Sequence, residues 1–138
     1  MKTEHYFVCE KDRLFCNAHS MHDCSFTAAY ESDSLVLFFD HLEQYRDITN
    51  SFMLFDGYKQ LRIIYHNVRN FELELKFGKK EMFFCNTVAP LLDKKLIMFK
   101  FSVDSFDQLS LHFSAFIKHR IWGCKIEMQL SEIEYIWE

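Results

Sequence analysis

The chain reads as an all-β fold: an antiparallel two-sheet sandwich or flattened barrel of about eight to ten short strands, with at most one or two short helices. Three observations predict it. Apolar residues fall on alternate positions through most of the 138 residues, as on a strand with one dry and one wet face. Aromatic residues reach 17%, with sixteen Phe, a side chain that favours strands. The breaks between apolar runs are short and polar, so most neighbouring strands pair antiparallel.

Phe71-Glu72-Leu73-Glu74-Leu75-Lys76-Phe77 is the cleanest strand: its apolar and charged residues separate onto two faces. Residues 5–9 form a first, short strand. Strand character runs from Asp23 to Tyr30, breaks at Glu31-Ser32-Asp33 and resumes over Ser34–Phe39, which is a hairpin signal. Asp40 to Thr49 is the best helix candidate, with Asp40 as cap and Glu43 three residues on; a loop there fits nearly as well. Ser51–Phe55, the turn Asp56-Gly57 and Tyr58–His66 read as another hairpin. Asn67–Asn70 turns the chain into Phe71–Phe77, and Gly78-Lys79-Lys80 leads to Glu81–Cys85. Asn86–Lys95, with the single proline, reads as a loop or short helical turn. Leu96–Val103, Gln108–Ala115 and Arg120–Leu130 complete the strands, with Asp104–Asp107 joining the first two. Buried phase then passes from Trp122, Cys124, Ile126, Met128 and Leu130 to Ile133, Tyr135 and Trp137. A bulge or turn at Ser131-Glu132 accounts for the change.

No linker or repeat divides the chain, so residues 1–138 form a single domain. A net charge of −4 with scattered Lys and Arg argues against a nucleic-acid partner. The longest apolar run, Leu35–Phe39, is far short of a membrane span, and the N-terminus lacks the apolar core of a signal peptide. Five cysteines without framework spacing read as reduced thiols, which fits a cytoplasmic protein.

Candidate chemistry is sparse. Cys16, His19, His22, Asp23 and Cys24 form the densest cluster of metal-ligand types, and a metal-dependent enzyme would centre there. The spacing matches no zinc hairpin, however, and His22-Asp23 opens a strand rather than joining the helical ligand set of His-Asp phosphohydrolases. Glu72 and Glu74 share a strand face with Cα atoms roughly 7 Å apart, as do Glu132 and Glu134, but alternate acids are ordinary on a wet face. His112 alternates with Ser110 and Ser114 without a third orienting group or a nucleophile elbow. Three glycines build no phosphate-binding loop. No catalytic residue and no cofactor follows.

Some strands are apolar on both faces: Leu35–Phe39, Phe52–Phe55, Met82–Cys85 and Leu96–Val103. A sandwich wets its outer faces, so these need cover from within the chain or from a partner. Phe38, Met53, Leu96 and Met98 are the candidate partner-facing residues, for another protein or for self-association.

His22-Asp23-Cys24-Ser25-Phe26, then Asp33–Asp40, together with the ending Cys124–Glu127 and Ile133–Trp137, resembles small mostly-β bacterial proteins that open on His-Asp-(Ser/Cys/Ala). Some of these are immunity proteins of toxin systems. The resemblance covers about thirty residues at the two ends and implies a cytoplasmic all-β protein, with no catalytic residue transferred. The expectation is a non-enzymatic protein-binding domain, of immunity type by that resemblance. A small-molecule-binding β-domain, its cavity lined by the aromatic excess, is the alternative.

Overall fold

The computed structural model describes residues 1–7, 25–42, 58–91, 95–103 and 108–138, and only the backbone at 6, 7, 25, 41 and 95–103. Ten strands run through these residues: β1 (Lys2–Phe7), β2 (Ser25–Glu31), β3 (Ser34–His41), β4 (Leu61–His66), β5 (Arg69–Phe77), β6 (Lys80–Cys85), β7 (Lys95–Val103), β8 (Gln108–Ile117), β9 (Arg120–Gln129) and β10 (Glu132–Trp137). A 3-10 turn, Ala89–Leu91, sits where the proline segment predicts a loop or short turn. The all-β reading holds, and every pairing among the described residues is antiparallel.

The strand order is β1-β10-β4-β3-β2-β7-β8-β9-β5-β6. It divides into two sheets hinged on β2. Sheet A holds β1, β10, β4, β3 and β2, and sheet B holds β7, β8, β9, β5 and β6. Among the described residues only Phe26 and Leu96 are in register across the hinge.

Alternation on each strand turns one apolar set inward. Leu35, Leu37 and Phe39 meet Leu61, Ile63 and Tyr65 and then Ile133 and Tyr135, all at most 1% exposed. Leu73, Leu75, Leu109, Leu111, Ile126 and Met128 line sheet B in the same way. Phe26 ties the layers together, 5.0 Å from the Phe39 ring and edge-on to Phe113 at 5.4 Å. Tyr30 of sheet A stacks on Phe71 of sheet B at 4.6 Å. Such ring pairs contribute about 0.5–1.5 kcal/mol each beyond the area they bury.

The phase change at the C-terminal end marks a corner. β4 and β10 pair in sheet A; their continuations, β5 and β9, pair in sheet B. His66 faces Glu132 and Arg69 faces Gln129, so the ribbon keeps one register through the bend. Asn67 then lies opposite Ser131, with Asn67 Nδ2 donating to Ser131 Oγ at 2.7 Å. Val68 and Leu130, both buried, cap the core at the corner. Asn67 and Asn70 both adopt positive φ, 56° and 52°. Asn70 occupies a bulge, where Arg69 to Glu72 spans one residue more than Gln129 to Glu127. Its amide donates to Gln129 Oε1 at 2.6 Å. The left-handed region strains most residues, and Asn tolerates it through its short polar side chain.

Two predicted features differ in detail. Asp40 and His41 continue β3 rather than starting a helix, because the extra residue that β3 carries opposite Ser25–Thr27 lets pairing resume at His41. β4 starts at Leu61; Tyr58–Gln60 is not strand, though Lys59 and Gln60 both donate to the Glu138 carbonyl at 2.8 Å. Residues 43–49, the Ser51–Phe55 strand, the Asp56-Gly57 turn and Asp104–Asp107 lie outside the described residues. The Glu31–Ser34 and Ile117–Arg120 hairpins close on Ser32-Asp33 and Lys118-His119, all four at positive φ, as a type I′ turn requires even without glycine.

The corner predicts its own test. Asn67→Ala loses the bond to Ser131 and keeps a β-carbon at positive φ without the polar side chain that eases it, at a cost of about 2 kcal/mol. Asn67→Gly loses the bond but also removes the β-carbon, so it keeps the positive φ without strain. Urea unfolding should therefore rank wild type, then Gly, then Ala.

Candidate partner-binding face

The outer face of sheet B is a grid set by register. One row crosses His112, Lys125, Glu74 and Phe83; the next crosses Ser114, Gly123, Lys76 and Glu81. Its polar members come from the wet positions of β8, β9 and β5, where alternation puts charge outward. Gly123 leaves a gap in this grid. The result is a shallow depression of about 360 Å3, lined by Glu74, Lys76, His112, Gly123 and Lys125, with Phe113 and Cys124 beneath. A β-carbon at Gly123 would meet only the Lys76 carbonyl, at 3.7 Å, so no steric demand of the fold requires glycine there.

The rim carries paired charges. Lys76 Nζ lies 2.8 Å from Glu74 and 3.6 Å from Glu81; Lys125 Nζ lies 2.6 Å from Glu127. The hydrogen bond and charge of Glu74, then Glu81, raise the Lys76 pKa, and Glu127 does the same for Lys125. Both ammonium groups stay charged, but solvent screens such pairs, and they contribute little to stability. Beside them, toward the β8–β9 turn, Phe116 and Ile121 face each other across the hairpin at 44% and 56% exposure. A depression with charged walls and an apolar shoulder suits a macromolecular surface better than a buried small ligand.

Cys124 and Cys85 contrast. Cys124 is buried under the depression, its Sγ 3.6 Å from the Trp122 carbonyl. Burial pushes its thiol up to about 12, slightly opposed by a backbone contact from Ala115. Cys85 is exposed on β6.

Sheet A carries a second polar array. His5 Nε2 lies 3.0 Å from Glu132, and His66 Nε2 lies 3.1 Å from Glu134, with the two rings 6.3 Å apart. Each carboxylate is taken by one histidine. Among the described residues no group of three or more His, Cys, Asp or Glu is arranged to hold a metal.

Of the predicted partner-facing residues, Phe38 is half-buried on the outer face of sheet A, with the Arg62 guanidinium 5.1 Å above its ring. Leu96 and Met98 are in register with Ala115 and Ser114, and only their backbone is described. Met53 lies outside the described residues, as do Cys16, His19, His22, Asp23 and Cys24. Glu72 and Glu74 share a face as predicted, but Glu74 is engaged by Lys76. His112 is exposed and Ser110 buried, so that alternating trio is not one open surface. Sequence reading missed Phe116 and Ile121, whose only trace is an apolar residue on each side of the 118–119 turn. It also missed both His–Glu pairs, which depend on register between strands far apart in the chain.

Comparison with protein-family models, curated proteins and solved structures finds no match. No helix among the described residues is long and apolar enough to cross a membrane.

Cys124 makes stability depend on alkaline pH. Its folded pKa lies above that of the unfolded thiol, so its contribution is complete below about pH 9 and falls as pH rises toward 12. Relative to Cys124→Ala, wild type should lose up to about 1.4 kcal/mol per pH unit across that window, measured by urea unfolding. Iodoacetamide should label Cys85 in the folded protein and leave Cys124 unmodified.

Proposed function

We propose that this chain is a non-enzymatic domain that works by binding another protein through the outer face of sheet B. The observation that carries the reading is the Gly123 depression with Phe116 and Ile121 beside it. Large apolar side chains are exposed there beside the Lys–Glu ion pairs of the same face. Interfaces combine an apolar anchor with a polar rim in this way. The paired Lys and Glu residues offer hydrogen-bonding groups of both signs around the anchor. The resemblance of the two chain ends to immunity proteins supports a specific form: a cytoplasmic bacterial protein that neutralises a toxin by occupying it. A net charge of −4 favours a basic toxin surface.

Ile121→Lys and Gly123→Thr test the site. Both positions are exposed on a strand, so thermal melts should stay within about 0.5 kcal/mol of wild type. Partner retention by the immobilised protein should fall at least tenfold for each. Co-expression with a toxin encoded beside the gene should restore growth with wild type and not with Ile121→Lys. Equal retention by wild type and both variants would overturn the site. A chain recovered alone from its native host, without such a neighbour, would count against the function.

A further inference from the structure

We propose that two copies of this chain pair antiparallel through the free edge of β6, about a two-fold axis at Phe83. This goes beyond the hetero-partner reading and stands without it, since it uses the backbone edge of β6 rather than the Gly123 depression with Phe116 and Ile121.

The backbone phase of β6 follows from its turn. Phe77 and Lys80 flank the two-residue Gly78-Lys79 turn, so they form a hydrogen-bonded pair. Alternation then assigns Leu75 with Met82, and Leu73 with Phe84, to the bonded pairs. The intervening residues Glu81, Phe83 and Cys85 aim their N–H and C=O groups away from β5. The bond from Asn86 N–H to the Phe71 carbonyl, at 3.0 Å, fits the same phase.

Among the described residues no strand lies against that edge: β6 ends the strand order. The usual protections of an edge are weak here. The strand has no proline and no bulge against β5, and its charges stand only at Lys80 and Glu81. Phe83 is 67% exposed and Met82 41%.

The edge is self-complementary. With Phe83 opposite its own copy, Glu81 faces Cys85 of the second copy, and Cys85 faces its Glu81. All three outward-aimed residues then fall in bonded pairs, for roughly six backbone hydrogen bonds. No carboxylate opposes a carboxylate, and Met82 sits beside Phe84 of the second copy. An axis normal to the sheet keeps outer face with outer face, as pleating requires. Sliding by two residues leaves only two bonded pairs, and sliding by one opposes inner to outer faces. A six-residue edge buries less than the roughly 1,200 Å2 of a tight complex, so the dimer dissociates in the micromolar range or above.

Sedimentation equilibrium of the full chain from about 5 to 500 µM reads this directly. Wild type and Ile121→Lys should both shift from monomer to dimer across that range. Phe83→Pro removes a free-edge N–H that makes no bond to β5, so it should keep the fold by circular dichroism and weaken dimerisation at least tenfold. Phe83→Lys should weaken it without touching the backbone. Register is read by Glu81→Cys under mild oxidation, with peptide mapping for a link between positions 81 and 85. Those positions are roughly 13 Å apart along one strand, too far for a bond within a chain, so the link reports the second copy. A wild type monomeric throughout, a dimer that survives both Phe83 substitutions, or dimers without the 81–85 link would each overturn the proposal.

Discussion

Every strand that passes from one sheet to the other has to keep its dry side on the core. That constraint is met at the corner where β4 becomes β5 and β9 becomes β10. Two antiparallel neighbours bend there together without losing register. Buried phase shifts once on one strand, between Leu130 and Ile133. It shifts twice on the other, from Tyr65 to Val68 and on to Phe71. The two asparagines at positive φ absorb both shifts, and their amides hold the opposite strand. Without the bend, one half of the ribbon would turn Leu73 and Ile126 to water. The core on either side therefore rests on the corner.

The outer faces follow from the same geometry. Once the inner positions are taken, the remaining residues of each strand are brought side by side by register, whatever their separation in the chain. On sheet A this puts His66 against Glu134; on sheet B it puts His112 in a row with Lys125 and Glu74. Coulomb attraction between such neighbours is weak in water, so these rows decorate the fold rather than hold it. In the proposed interface, charges of both signs around an apolar anchor would set orientation and exclude wrong partners.

Most of the strands were legible in the residues because period-two alternation is a local signal. Phe71–Phe77 and Glu132–Trp137 need no distant information to be read as strands, and the phase change at Ser131 pointed to a bend. The end of β3 was harder: Asp40 satisfies the pattern of a helix cap, yet pairing with Ser25 beyond a bulge keeps His41 in the strand. The candidate face was nearly illegible. Gly123 carries no side chain to mark it, and the neighbours that make its absence a depression come from three strands. Phe116 and Ile121 look like ordinary strand residues until the hairpin register places them together outside.

Sequence by itself determined that this chain is all-β and mostly antiparallel, and which residues face the core on the cleanly alternating strands such as Phe71–Phe77 and Glu132–Trp137. Alternation and the hydrophobic effect act residue by residue and need no knowledge of neighbours. Only the tertiary structure decided strand order, the shared hinge at β2, the side-by-side corner and the place of β6 at the end of the described strands. These depend on pairing between segments up to about 130 residues apart, where the choice is made by backbone hydrogen-bond phase and by which dry faces can close on one another.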